Sequence, residues 1–273
     1  MQESKLILAL KGLVVGATML VPGVSGGTMA MLLGVYDRLV SSVSSFMSAK
    51  RASFIFLALF ALGGGAGMLL FAKPILGVIE AWPRPAGWFF LGAVAGGVPL
   101  MLRKSRVRQF NWRVPVYIAL GAALVCGIGA LPEGLFTTEA EGFSGALLLG
   151  AAGLLAAVSL VLPGISVSYF LLVLGLYDET MRAVSTLYLP FLLPLGIGLL
   201  LGVVLTARLL ERAMQKYPRA TYLIILGFVL GSMAEVFPGL PRGAEIVPCV
   251  LALCAGFGCI YALTAWESRR GGG

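Results

Sequence analysis

The chain has 273 residues, of which 59% are hydrophobic and only 12% are charged. Soluble domains carry about 25% charged residues, so the composition excludes an ordinary soluble protein and predicts a membrane protein. The net charge of +8 is concentrated in short loops between apolar runs, which argues for membrane topology and against nucleic-acid binding. The chain has no histidine and no C-x-x-C pair, and we expect neither a metal nor a cofactor.

The first predicted element, residues 5–37, is an apolar segment that is interrupted near its middle. Its motif is Val21-Pro22-Gly23-Val24-Ser25-Gly26-Gly27-Thr28, and the apolar run that follows ends in Leu33-Gly34-Val35-Tyr36-Asp37. Proline breaks a helix and glycine permits a turn, so the turn is predicted at Pro22 and Gly23. A helix from Gly26 to Tyr36 would rise about 15 Å, half of the hydrocarbon core. We therefore predict a re-entrant helical hairpin.

Three apolar runs follow, at 54–72, 87–102 and 114–131, and each is predicted to be a transmembrane helix. The loop between the second and third runs contains basic residues and no acidic one: Arg103, Lys104, Arg106, Arg108 and Arg113. The positive-inside rule places this loop in the cytoplasm. Residues 1–131 thus form a first structural unit, and the acidic linker 132–142 is predicted to lie on the outer side.

Residues 143–273 repeat this organisation. The segment 143–178 contains Leu162-Pro163-Gly164-Ile165-Ser166-Val167-Ser168 and then Leu174-Gly175-Leu176-Tyr177-Asp178, displaced by 141 residues from the first motif. It is predicted to be a second re-entrant hairpin, with its turn at Pro163 and Gly164. Three further spans are predicted at 187–207, 220–237 and 246–266. Interrupted hydrophobic segments at matching places in two halves are typical of the binding sites of transporters.

The charges predict how the two halves are oriented. A second basic loop, with Arg208, Arg212, Lys216 and Arg219, is also predicted to be cytoplasmic. Three spans per half, an odd number, invert the second half, so the two hairpins would enter from opposite sides and the C-terminus would be cytoplasmic. The predicted fold is an all-α integral membrane protein with an inverted-topology repeat, each half having one re-entrant helical hairpin and three transmembrane helices.

The two motifs are the candidate binding site. Irregular backbone at membrane depth must be covered by protein or water, so the two turns are expected to meet inside the protein. The residues after each turn would offer hydroxyls and backbone amides that suit a phosphate: Ser25, Gly26, Gly27 and Thr28 in the first motif, and Ser166, Val167 and Ser168 in the second. The alternative is helix packing, because glycine, serine and threonine are also common at contacts between membrane helices.

Four charged residues near the motifs are candidate gate or coupling groups: Lys11, Asp37, Arg38 and Asp178. A lysine inside an apolar segment is costly and often functional, and the alternative for Lys11 is snorkelling to the cytoplasmic surface. Each aspartate lies twelve residues beyond the first serine of its motif, about 18 Å along a helix, which predicts positions near opposite membrane faces. Tyr36 and Tyr177 beside them are predicted to be interfacial anchors.

These motifs resemble those of the DUF368 family, bacterial membrane proteins that are identified as polyprenyl-phosphate (undecaprenyl-phosphate) translocases. The resemblance covers nearly the whole chain and rests on Lys11-Gly12, both Pro-Gly motifs, Gly34-Val35-Tyr36-Asp37, and Leu91-Gly92 with Gly96, which recurs as Leu226-Gly227 with Gly231. It implies that the protein acts in the bacterial cytoplasmic membrane. There it would move the phosphate head of the C55 lipid carrier from the outer to the cytoplasmic leaflet, recycling the carrier for cell-wall synthesis. This chain has Val167 where the family usually has glycine, and aspartate at 37 and 178 where it often has glutamate.

Two other functions share some of these features. A small-anion transporter or channel would need a closed aqueous path instead of an opening to lipid. Undecaprenyl-diphosphate phosphatases, which are membrane enzymes, also use a Pro-Gly-x-Ser motif, but theirs continues with arginine, where Gly26 and Val167 stand here, and adds a glutamate-rich motif. We expect a transporter without catalytic residues, whose partners are a polyprenyl-phosphate lipid and the bilayer. The oligomeric state stays open, with a homodimer as one alternative.

Overall fold

The computed structural model describes residues 4–19, 25–46, 50–107, 111–132, 142–165 and 167–270. The helices in these ranges are α1 (Lys5–Thr18), α2 (Gly26–Leu32), α3 (Tyr36–Ser44), α4 (Lys50–Ala81), α5 (Pro83–Lys104), α6 (Arg113–Gly129), α7 (Gly142–Val161), α8 (Val167–Val173), α9 (Tyr177–Thr186), α10 (Leu189–Lys216), α11 (Pro218–Val236) and α12 (Ile246–Arg270), with a 3-10 turn at Gly243–Glu245. The expected turn residues Pro22 and Gly23, the candidate Ser166 and most of the acidic linker lie outside the described residues.

Long apolar helices dominate the described part of the chain. Five stretches are long and apolar enough to cross a membrane: Arg51–Ala81, Pro83–Lys104, Ser144–Val161, Leu189–Lys216 and Gly243–Ala265. Two shorter apolar stretches, Arg113–Gly129 and Pro218–Ala234, accompany them. Leucines on the long helices point outward, such as Leu69 on α4 and Leu209 on α10, which are 85% and 71% exposed. Such an apolar exterior suits lipid, and the chain is a multi-pass membrane protein.

Helix α7 is longer than α1. It has 20 residues, whereas α1, at the equivalent place in the first half, has 14, which corresponds to about 30 Å against about 21 Å. Its stretch Ser144–Val161 is therefore long enough to span a membrane, although it belongs to the segment predicted to be a re-entrant hairpin. The re-entrant hairpin over 143–178 stays a prediction, since α8 after the turn has only seven residues.

The short helix after the first motif ends earlier than predicted. α2 has seven residues, about 10 Å of helix, and it stops where Gly34 adopts a left-handed φ of 70°. The Gly34 N–H donates to the Met31 carbonyl, and the Val35 N–H donates to the Ala30 carbonyl. This pair of bonds is the Schellman arrangement, which favours glycine at the left-handed position.

The short helix after the second motif ends in the same way. α8 also has seven residues, and Gly175 has a φ of 73°. The Gly175 N–H donates to the Leu172 carbonyl and the Leu176 N–H donates to the Leu171 carbonyl. The chain therefore turns before each tyrosine-aspartate pair and begins a separate helix, α3 or α9. The estimate of about 18 Å between the motif serine and the aspartate, which assumed one straight helix, does not apply.

Four helix pairs have the most extensive contacts: α1 with α4, α7 with α10, α5 with α12 and α6 with α11. Glycines bring the backbones together at these contacts. A Cβ atom on Gly92 of α5 would overlap the backbone carbonyl of Leu253, and one on Gly227 of α11 would overlap that of Ile118. Close backbone packing of this kind is how membrane helices associate when lipid offers no hydrophobic driving force.

Helix α10 packs against elements beside both motifs, α3 in the first half and α7 in the second. α2 lies in the largest buried cluster, where Met31 and Leu32 are fully buried, and this cluster includes Ala207 of α10. α8 packs in a second cluster, in which Leu171 contacts a group that includes Leu195 of the same α10. One long helix therefore shares a buried cluster with each of the two motif helices.

Candidate functional site

A cavity of about 860 Å³ lies between the two motifs, and we call it the central cavity. The first motif contributes Ser25, Gly26 and Gly27 to its wall, and the second contributes Gly164, Val167 and Ser168. The remaining wall comes from the ends of α1 and α7, from α3, and from α4 and α10. Residues about 140 positions apart in the sequence therefore face one space.

Two contacts join the motifs directly. Gly27 packs so closely on the second Pro-Gly turn that a Cβ atom at this position would lie 3.1 Å from the Cα atom of Pro163. The hydroxyl of Tyr36 donates a hydrogen bond of 2.7 Å to the backbone carbonyl of Val161, at the end of α7. The structure thus brings the beginning of α2 and the second turn together, while Pro22, Gly23 and Ser166 lie outside the described residues.

Hydrogen-bond donors from the first motif reach the central cavity. Ser25 precedes α2 in an extended conformation, with φ −78° and ψ 134°, and its side chain makes no capping hydrogen bond. Its carbonyl accepts the first helical bond, from the N–H of Met29 at 3.1 Å. The N–H groups of Gly26, Gly27 and Thr28 consequently have no acceptor inside the helix. The first motif can therefore offer one hydroxyl and a set of backbone amides to a ligand.

Thr28 and Ser168 differ in their relation to the cavity. Thr28 is 3% exposed and its side chain is not part of the cavity wall. Its Oγ1 atom is buried and makes no hydrogen bond within the described part of the chain. Ser168 is exposed and lines the cavity beside Val167. Of the two residues, only Ser168 lines the space between the motifs.

Sequence reasoning missed other polar residues of the cavity wall. Ser159 lines the cavity, and its hydroxyl donates to the Ala156 carbonyl at 2.7 Å. The shift of 141 residues maps it onto Thr18, whose hydroxyl donates to the Val15 carbonyl at 2.9 Å. The same shift that revealed the motifs would have found this matched pair.

The sequence also did not indicate that tyrosines line the cavity. Tyr36, Tyr169 and Tyr177 line the cavity. Tyr36 is only 3% exposed, so its interpretation as an interfacial anchor is wrong. The sequence placed Tyr36 at the surface because it was assigned to the end of a straight helix, whereas the turn at Gly34 returns it to the interior.

The charged candidates lie outside the central cavity. Lys11 is buried on α1 at 8% exposure and is not part of the wall, and Asp178 is exposed at the start of α9. Asp37 forms an ion pair of 2.7 Å with Lys104 at the end of α5. The guanidinium carbon of Arg38 lies 4.4 Å from the centre of the Phe56 ring. Among the described residues, the cavity wall is built from neutral side chains and backbone alone.

The comparisons with known proteins agree on one family. Residues 15–246 match the VCA0040-like family, described as undecaprenyl phosphate translocase-like. The chain is 34% identical over 252 residues to the polyprenyl-phosphate transporter of Staphylococcus aureus, covering 88% of this chain and 89% of the relative. It is 32% identical over 244 residues to that of Vibrio cholerae, covering 84% and 76%. No solved structure gives a significant match. The chain, a multi-pass membrane protein whose two Pro-Gly motifs share one cavity, therefore belongs to the undecaprenyl phosphate translocase-like family.

Proposed function

We propose that this protein moves polyprenyl phosphate, the undecaprenyl (C55) carrier, from the outer to the cytoplasmic leaflet of the bacterial cytoplasmic membrane. The observation that carries the proposal is that both Pro-Gly motifs line one cavity of about 860 Å³. The printed names of the relatives, polyprenyl-phosphate transporter, support the substrate class. Returning the carrier in this way would recycle it for cell-wall synthesis.

The phosphate head would be held by neutral donors. A phosphate monoester carries a charge of about −1.5 to −2 at pH 7. Ser25, Ser168 and the first residues of α2 line the cavity, and we assign their hydroxyls and backbone amides, with Ser166, to the head group. Since α2 and α8 have seven residues each, hydrogen bonds contribute more here than the helix dipole. A site without a cation binds phosphate weakly, which suits a ligand that must enter and leave.

The prenyl tail would stay in the bilayer. Met19 and Leu160 line the cavity and are also 46% and 45% exposed, so the wall of the cavity continues into the apolar exterior. Such a lateral connection to lipid supports a lipid substrate over a small anion, which would require a closed aqueous path. It lets the head group enter the protein while the tail remains outside.

The two halves would form an inverted repeat that alternates access to the cavity. Three observations support this part of the proposal. α1 packs on α4 as α7 packs on α10, and α5 packs on α12 as α11 packs on α6. α2 and α8 end in the same Schellman turn at Gly34 and Gly175. In this arrangement the basic loops and the C-terminus are cytoplasmic, and one chain supplies both motifs, so that a homodimer is not required.

A flip assay with purified protein in liposomes tests the function. Labelled polyprenyl phosphate is placed in both leaflets, and the fraction that an external phosphatase can reach is followed with time. We expect that fraction to rise toward completion only in liposomes that contain the protein. Transport of inorganic phosphate without lipid flipping would favour a small-anion transporter. Release of phosphate from undecaprenyl diphosphate would favour the phosphatase-like enzyme, and either result would replace the proposal.

A further inference from the structure

A second cavity of about 640 Å³ lies behind the central cavity, on the other side of α3. Tyr36 and Val43 on one face of α3 line the central cavity, Asp37 and Ser41 on the other face line the second, and Val40 lines both. The remaining walls of the second cavity come from the end of α5, from α10 and from the start of α11. α3 is thus a thin partition between the two spaces.

The second cavity differs from the first in its charge. Its wall carries four basic residues, Arg38, Arg103, Lys104 and Arg106, and two acidic ones, Asp37 and Glu211. The excess is two positive charges, and we call this space the basic pocket. Lys104 is engaged by Asp37 at 2.7 Å. Neither Arg103 nor Arg106 forms an ion pair within the described part of the chain, so their guanidinium groups are available to an anion.

Arg103 and Arg106 lie on the turn that ends α5. Arg106 has a φ of 52°, in the left-handed region that residues other than glycine rarely adopt. Its N–H donates to the Arg103 carbonyl at 3.0 Å. A left-handed residue directly after the last turn is a common way for a helix to end. The side chains of Arg103 and Arg106 both line the pocket.

The basic pocket has no counterpart in the second half. A shift of 135 residues relates Gly92 of α5 to Gly227 of α11, and the same shift places Pro238, Gly239 and Pro241 where the first half has Arg103, Lys104 and Arg106. The three basic positions at the end of α5 are therefore uncharged after α11, where Arg242 is the basic residue of the loop that leads to α12.

We propose that the basic pocket is a second binding site for the phosphate monoester head of the lipid, occupied after the central cavity on the side where α5 ends. This inference rests on the proposed function, since it assumes a phosphate ligand in the central cavity. Arginine recognises phosphate with paired hydrogen bonds. A monoester with up to two negative charges matches the excess of two positive charges better than a diester lipid, which has one. The pocket would thereby hold the head group on the side where α5 ends.

Equilibrium binding to the purified protein in neutral detergent tests the site, because both ends are then accessible and membrane orientation has no influence. The probes are farnesyl phosphate, a short prenyl monophosphate, and inorganic phosphate. The test variant is R103Q/R106Q, and the control is R212Q/K216Q, which removes the same amount of charge from α10. The control is close to the pocket, because Glu211 of α10 lines it, but Arg212 and Lys216 are exposed and are not part of its wall. We expect two binding steps for farnesyl phosphate in the parent protein, of which the salt-sensitive one also takes inorganic phosphate.

The expected result is that R103Q/R106Q weakens the salt-sensitive step by about tenfold or more, while R212Q/K216Q leaves it within about twofold of the parent. If R103Q/R106Q does not fold, R103K/R106K keeps the charge and removes the paired geometry, and a loss of binding by this variant still supports the site. Unchanged binding by both arginine variants overturns the proposal. The proposal is also overturned if phosphatidylglycerol binds at the salt-sensitive step as tightly as farnesyl phosphate does, since the pocket would then take any anionic lipid. Failure of the flip assay with the salt-sensitive step intact would refute the proposed function and leave the anion site standing.

Discussion

The hydroxyl of Tyr36 donates a hydrogen bond of 2.7 Å to the backbone carbonyl of Val161, 125 residues along the chain. This bond ties the start of α3 to the end of α7, directly before the second Pro-Gly turn. The next residue, Asp37, is tied in the opposite direction by its ion pair with Lys104 of α5. α3, which separates the central cavity from the basic pocket, is therefore anchored on both of its sides. A change at either anchor should alter access between the two cavities.

Tyr36→Phe should loosen this partition. The substitution removes one hydrogen bond and leaves the Val161 carbonyl without its donor, a loss of about 1 kcal/mol. We expect a lower midpoint of thermal unfolding and an altered flipping rate in liposomes. Tyr261→Phe is the control, because Tyr261 is 44% exposed and its ring stacks on Phe257. Equal behaviour of the two variants would mean that the bond to Val161 has no role in holding α3.

Ser25→Ala and Ser168→Ala should weaken binding of prenyl phosphate. Each removes a hydroxyl that lines the central cavity, and a hydrogen bond to a charged group contributes about 1.5–3 kcal/mol, or about tenfold to a hundredfold in affinity. Ser166→Ala, the variant suggested by the repeat, belongs to the same series. Ser185→Ala on α9, whose hydroxyl donates to the Arg182 carbonyl, is the control. If the motif variants bind and flip the lipid like the parent, the serines are packing residues.

Thr28→Val should leave lipid binding unchanged. The Thr28 hydroxyl is buried, makes no hydrogen bond within the described residues, and is not part of the cavity wall. Replacing an unpaired buried hydroxyl by a methyl group of similar shape removes a desolvation penalty, so thermal stability should stay equal or rise. Binding and thermal unfolding are measured side by side with Ser25→Ala. A loss of affinity as large as that of Ser25→Ala would return Thr28 to the phosphate site.

Gly256→Ala and Gly258→Ala should differ sharply in stability although they lie two residues apart on α12. A Cβ atom at Gly256 would overlap the backbone carbonyl of Phe89 on α5, while one at Gly258 would meet nothing within 4 Å. We expect Gly256→Ala to force α5 and α12 apart and to lower the midpoint of thermal unfolding. Gly258→Ala should be neutral or stabilise the helix by up to about 1 kcal/mol. Similar midpoints for both would contradict the close packing of α5 on α12.

Cysteine labelling should place the two ends of α5 on opposite sides of the membrane. This helix has 22 residues, about 33 Å, which is enough to span. In a protein freed of its native cysteines, Gln215→Cys beside the basic pocket should react with an impermeant maleimide only from the cytoplasmic side. Leu240→Cys, in the loop between α11 and α12 and 72% exposed, should react only from outside. Labelling of both from one side would refute the inverted topology.

The amino-acid sequence was sufficient to identify a membrane protein, and it predicted where a binding site would lie. Apolar composition and run length require a membrane, and two Pro-Gly motifs in register mark interrupted helices at matching places. Both inferences depend on local properties: hydrophobicity, the missing N–H of proline, and the freedom of glycine. The basic loop was interpreted for topology alone, since charge along a chain does not reveal that Asp37 and Tyr222 close a pocket around it.

The tertiary structure was needed to tell which motif residues line the central cavity. Thr28 and Ser25 are three residues apart, yet one is buried away from the cavity and the other lines it, because the direction of a side chain depends on how α2 packs in the core. Tyr36 was assigned to the surface and is in fact buried, since a single left-handed glycine turned the chain. Contacts such as Tyr36 with Val161 join residues 125 positions apart. They arise from the packing of two halves on α10, which no local pattern in the sequence encodes.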